Sequence, residues 1–91
     1  MMHIITYDIE DDKERNQISK ILEGYGVRVQ DSVFECNINK AEFESLLNKL
    51  TKFAKGKINI RIYPVCKECY SKSIGIGEIK HFPGLKGYEI I

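Results

Sequence analysis

Apolar residues in this chain recur at two different spacings, and the order in which those spacings alternate limits the folds open to it. The opening run, His3-Ile4-Ile5-Thr6-Tyr7-Asp8, is β-branched and too short for a helix, which predicts a buried central strand. Ile18, Ile21, Leu22 and Tyr25 then fall at i, i+3, i+4 and i+7, the stripe of an amphipathic helix. Asp11 or Asp12 can cap its start, and Gly24 and Gly26 mark its end. Val27 and Val29 alternate with polar residues, and Phe34, Cys36 and Ile38 alternate in the opposite phase. A period of two cannot change phase without a turn or bulge, which predicts two strands broken around Gln30-Asp31-Ser32.

The second half repeats the alternation. Asn39 with Glu42 three residues on makes a capping box, followed by the stripe Phe43, Leu46, Leu47, Leu50 and Phe53, with Gly56 after the last turn. Ile58, Ile60 and Ile62 read as a strand that Pro64 stops, and Ser73 to Gly77 as a short fifth strand. The order β-α-β-β-α-β is that of an α+β, ferredoxin-like split βαβ domain. Both helices then cover one sheet face and leave the other for a partner or ligand. Residues 1–78 form the folded unit on this reading. Residues 79–91, with Phe82, Pro83, Leu85, Tyr88, Ile90 and Ile91, are too apolar for a free end. They are expected to pack on the other subunit of a homodimer, where the extra C-terminal strand would pair with a sheet edge.

At 91 residues a single domain buries a marginal share of its surface, which also favours association. No secretion signal or membrane-length apolar stretch is visible, so a cytoplasmic protein without a membrane partner is expected. The net charge of +1 conceals an asymmetry. Residues 1–45 carry five basic against ten acidic side chains, and residues 46–91 carry nine against three. Lys52, Lys55 and Arg61 in the basic half are candidates for binding nucleic-acid phosphates.

Tyr7-Asp8-Ile9, Asp11 or Asp12, Arg15, Leu22, Gly26, Arg28-Val29-Gln30, Ser32-Val33-Phe34-Glu35 and Arg61-Ile62-Tyr63-Pro64 follow one another at spacings that resemble a known family. It is the small CRISPR-associated "Cas-two" family of spacer-acquisition proteins, and the resemblance spans roughly residues 1–77. It implies a homodimer with Asp8 near the two-fold axis, binding Mg2+ or another divalent cation. It further implies a metal-dependent endonuclease acting on single-stranded RNA or double-stranded DNA, with Tyr7, Asp8, Arg15, Arg28 and Phe34 as the matching active-site positions. As the central dimer of the integration complex, such a protein would bridge copies of the "Cas-one" integrase. Where some members have a second arginine two places after Arg15, this chain has Gln17.

Each assignment has a plainer competitor. Arg15 can pair with Asp11 or Asp12 in the first helical turn, and Tyr7 and Phe34 can be core rather than base-stacking residues. Two further functions compete with the nuclease: a DNA-binding scaffold for the integrase without chemistry of its own, and a toxin-like ribonuclease. Cys66 and Cys69 have zinc-knuckle or redox spacing, but one pair supplies only half of a structural zinc site. Two thiols in a loop are the simpler expectation.

Overall fold

The structure, a computed structural model, describes residues 1–79 and the backbone of residues 89 and 90. It comprises β1 (Met2–Ile9), α1 (Asp12–Glu23), β2 (Val27–Gln30), β3 (Val33–Asn37), α2 (Lys40–Thr51), β4 (Ile58–Val65), α3 (Lys67–Ser71), β5 (Ile74–Gly75) and β6 (Glu89–Ile90). The first four strands form an antiparallel sheet in the order β2-β3-β1-β4. Each β-α-β crossover thus skips one strand, the arrangement expected of a ferredoxin-like α+β fold. No helix among the described residues is long and apolar enough to cross a membrane.

Strand alternation sorts β1 onto two faces. Ile5 lies level with Phe34 and Ile62, and Tyr7 with Ile60, on the face covered by α1 and α2. Ile18 and Leu22 of α1 and Leu46 of α2 complete the fully buried core there. Burial of each such side chain is worth about 1.5–3 kcal/mol relative to exposure. The helices start where the capping residues dictate. Asp11 Oδ2 accepts the Glu14 amide at 2.8 Å, while Asn39 and Glu42 exchange bonds of 2.8 and 3.0 Å. The phase change between β2 and β3 is met by the Asp31-Ser32 connection and a register shift between Arg28 and Gln30. Gly26 is required by close approach: a Cβ there would meet Cys36 Sγ at 2.5 Å and Cys36 Cα at 2.8 Å.

Three expectations need correction. Pro64 does not stop β4, which continues to Val65 with Pro64 opposite His3. β4 is an edge strand, where a residue without an N–H is tolerated. Cys66 and Cys69 lie at the start of a short helix rather than in a loop, with Cys66 as the N-cap of α3. The fifth strand shortens to Ile74–Gly75 and pairs in parallel with β6 of the same chain. The expected cross-dimer pairing concerns a second chain. The tail expected at 79–91 lies, apart from Ile79 and the β6 backbone, outside the described residues.

Candidate functional site

The helix-free face of the sheet carries rows of side chains fixed by register. Ile4, Glu35 and Tyr63 share one row, Thr6, Val33 and Arg61 the next, and Asp8 and Asn59 the last. Near the first of these rows α3 folds over the sheet. Tyr70, itself buried, donates its hydroxyl to Glu35 Oε1, and Glu35 is buried with it. Burial and the neighbouring Glu35 carboxylate push the Tyr70 phenol well above its ordinary range. The Asp8 end of the face remains open. Asp8 is exposed, and among the described residues its carboxylate has no hydrogen bond or ion pair.

Asp8 and Asn59 place an acceptor and an amide side by side, and Arg61 stands on the adjacent diagonal, a spacing of about 7–8 Å in an antiparallel pair. Arg61 Nη1 approaches the Tyr63 hydroxyl at 3.4 Å, and that hydroxyl favours the charged guanidinium. An exposed carboxylate, an amide and a guanidinium on one flat surface suit a cation and a phosphodiester. One Asp8 per chain is a minimal cation site, and the described residues contain no cluster of three or more metal-ligating side chains. Magnesium tolerates that economy, because it keeps several waters and takes one or two carboxylates.

The other matching positions lie elsewhere. Tyr7, Phe34 and Arg28 meet on the helix-covered face. The Tyr7 and Phe34 rings are 5% and 0% exposed, so neither is free to stack on a base in this conformation. Tyr7 donates to the Asp31 carbonyl at 3.2 Å. Arg28 lies 5.0 Å over the Phe34 ring and donates to the Asp31 carbonyl at 2.6 Å, to the Tyr7 hydroxyl at 3.3 Å and to Ser19 Oγ. It also approaches Glu23 at 3.7 Å. That guanidinium ties β2 to α1 and to the hairpin. Arg15 sits at the β1–α1 junction, bonded to the Ile9 carbonyl at 3.0 Å and paired with Asp12. The helix-turn ion pair is therefore formed.

The basic candidates also separate. Arg61 shares the open face with Asp8, whereas Lys52 and Lys55 follow the end of α2, on the other side of the sheet. Two features lie outside the sequence-based expectations: Thr6 and Asn59 as neighbours of Asp8, and the Tyr70–Glu35 contact. The period-two alternation of β1 and β4 carried the first signal. Nothing local signalled the second, which joins residues 35 positions apart.

The family model described as "CRISPR associated protein Cas2" matches residues 1–73. A Chloroflexus aurantiacus protein named CRISPR-associated endoribonuclease Cas2 1 is 40% identical over 80 residues, covering 86% of each chain. The crystal structure of Streptococcus pyogenes Cas2 at pH 6.5 superposes with a TM-score of 0.66 at 36% identity, covering 74% of this chain and 88% of that one. A chain of a partial Cas6-RT-Cas1–Cas2 complex matches with a TM-score of 0.63 at 34% identity, covering 79% and 86%.

Proposed function

The chain belongs to the CRISPR-associated Cas2 family, and from that membership we propose that it is a magnesium-dependent endonuclease, acting as a homodimer in spacer acquisition. The observation that carries the catalytic reading is the exposed Asp8 carboxylate, without a partner among the described residues, beside Asn59 on the open sheet face. Relatives named endoribonucleases make single-stranded RNA the first substrate to test, with double-stranded DNA the second.

Asp8 and its counterpart in a second copy would hold the cation, with waters and phosphate oxygens completing the shell. Bound there, magnesium supplies an activated water and positive charge beside the scissile phosphate. Arg61 would hold a phosphate oxygen from the same face, and Asn59 can donate an amide N–H to a neighbouring one. Arg28, Tyr7 and Phe34 act from behind the sheet, by holding β1 and the β2–β3 hairpin in place. Arg15 fixes the chain where β1 gives way to α1.

The test is cleavage of labelled single-stranded RNA by the purified chain, with magnesium or chelator, comparing wild type with Asp8→Asn. Loss of cleavage in both the variant and the chelated sample supports the assignment. Equal cleavage by wild type and variant removes it.

A second reading is favoured by the likeness to a chain of a Cas1-containing complex. The homodimer would present DNA to the Cas1 integrase as a scaffold, whether or not it cleaves. Asp8→Asn protein that still binds Cas1 and supports spacer integration would separate this role from catalysis.

A further inference from the structure

Cys66 and Cys69 take no part in the site above, yet their placement is specific. Cys66 is the N-cap of α3, and its Sγ accepts the Cys69 amide at 3.2 Å. Both residues are exposed. The third cysteine, Cys36, is buried in β3 between the sheet and the helices. Two solvent-accessible cysteines thus share the first turn of one short helix, linked through the Cys69 amide, and are separated from the third.

We propose that Cys66 and Cys69 form a reversible dithiol–disulfide couple, oxidised by a low-molecular-weight disulfide such as oxidised glutathione. The amide hydrogen bond to Cys66 divides their roles. The Cys69 thiol and amide stabilise negative charge on Cys66, lowering its pKa, and the same contact raises that of Cys69. Because its sulfur accepts the Cys69 amide, Cys66 is the attacking thiolate and Cys69 the resolving thiol. The Cys66 thiolate attacks one sulfur of the oxidised glutathione, forming a mixed disulfide and releasing one glutathione thiolate. Cys69, deprotonated, then attacks the Cys66 sulfur and releases the second glutathione thiolate. The two protons lost by the cysteines are taken up by the two glutathione thiolates. Two electrons pass from the protein to the oxidant.

The alternative use of such a pair, a structural zinc site, requires four donors. The described residues offer no third ligand beside these two sulfurs. A disulfide needs only the pair present. Its position has a consequence for the fold, because Tyr70 follows Cys69 directly and anchors α3 to Glu35. A closed ring across the first turn of α3 would restrain that anchor on the open sheet face.

The experiment equilibrates the full chain with graded ratios of reduced to oxidised glutathione, quenches it with an alkylating agent, and maps the peptides by mass spectrometry. The expected product is a peptide containing Cys66 and Cys69 that has lost two hydrogens, with its fraction set by the glutathione ratio. Cys69→Ser should trap a glutathione adduct on Cys66. Cys66→Ser should slow modification of Cys69 by about tenfold relative to that adduct. Hydrogen exchange of amides 67–72 should slow in the oxidised form. Wild-type protein that stops at the mixed disulfide, cross-links between chains, or stays reduced in excess oxidised glutathione would overturn the proposal. So would zinc purified with the chain and released by blocking these two thiols.

Discussion

Tyr7 and Asp8 are adjacent in the chain but face opposite sides of the sheet. The Tyr7 ring is buried beneath the helices and hydrogen-bonded to the Asp31 carbonyl, whereas the Asp8 carboxylate stands in solvent opposite Asn59. Substitutions at the two positions should therefore fail for different reasons.

Asp8→Asn keeps the volume of an exposed side chain and removes its charge. Magnesium-dependent RNA cleavage should fall by about a hundredfold, equivalent to ~2.7 kcal/mol on the barrier. The midpoint of thermal unfolding without metal should stay unchanged or rise slightly, as an exposed charge is removed. Cleavage assays and calorimetry on the same preparation check both halves.

Arg28→Ala removes the contacts with Tyr7, Asp31, Ser19 and the Phe34 ring. The expected cost is about 2 kcal/mol of stability, the range for hydrogen bonds to a charged group. Denaturant unfolding should shift accordingly. Any loss of cleavage should track the folded fraction and recover on cooling, which a direct phosphate contact would not do.

Charge reversal should sort the basic residues by face. Arg61→Glu should weaken nucleic-acid binding more than Lys52→Glu or Lys55→Glu, and should reduce the slope of log affinity against log salt by about one. Binding isotherms at several salt concentrations measure it. Equal effects at all three positions would count against the open face as the binding surface.

Tyr70→Phe deletes the hydroxyl that Glu35 accepts in a buried setting. A cost of about 1–3 kcal/mol is expected, since the carboxylate loses that donor. Glu35→Gln in the Tyr70→Phe background should recover part of it, because a neutral amide is less costly to bury than a charge. Urea unfolding of the wild type and the two variants decides the matter.

Stability should decline in alkali. Burial, with the Glu35 charge beside it, pushes the Cys36 thiol from 9.0 up to about 11, and Tyr70 is raised above its ordinary 10.0. Both groups keep their protons longer in the folded chain than in the unfolded one. The stability so gained is complete below pH 9 and is lost as pH rises through the folded values. Unfolding midpoints measured from pH 8 to pH 11 should fall, and the fall should be shallower in Cys36→Ala, whatever that variant's starting stability.

Much of this molecule is legible locally. Caps at Asp11 and Asn39, the apolar stripe of Ile18 and Leu22, and the alternation of Ile58, Ile60 and Ile62 depend on neighbours within a few residues. Period and capping chemistry therefore determine which segments are helices and strands, and which side of each is apolar. Asp8 could be singled out for the same reason: a charge ending an apolar strand is conspicuous in one dimension. What tertiary structure alone decided is the company each polar side chain keeps. The order β2-β3-β1-β4 sets Asn59 and Arg61 beside Asp8 and puts Tyr7, Arg28 and Phe34 behind the sheet. It also makes β4 an edge strand that can pass through Pro64, and α3 brings Tyr70 across the sheet to Glu35. These relationships join residues far apart in the chain. A hydrogen bond or charge pair has no periodic signature, and its partner is chosen only when the strands pair.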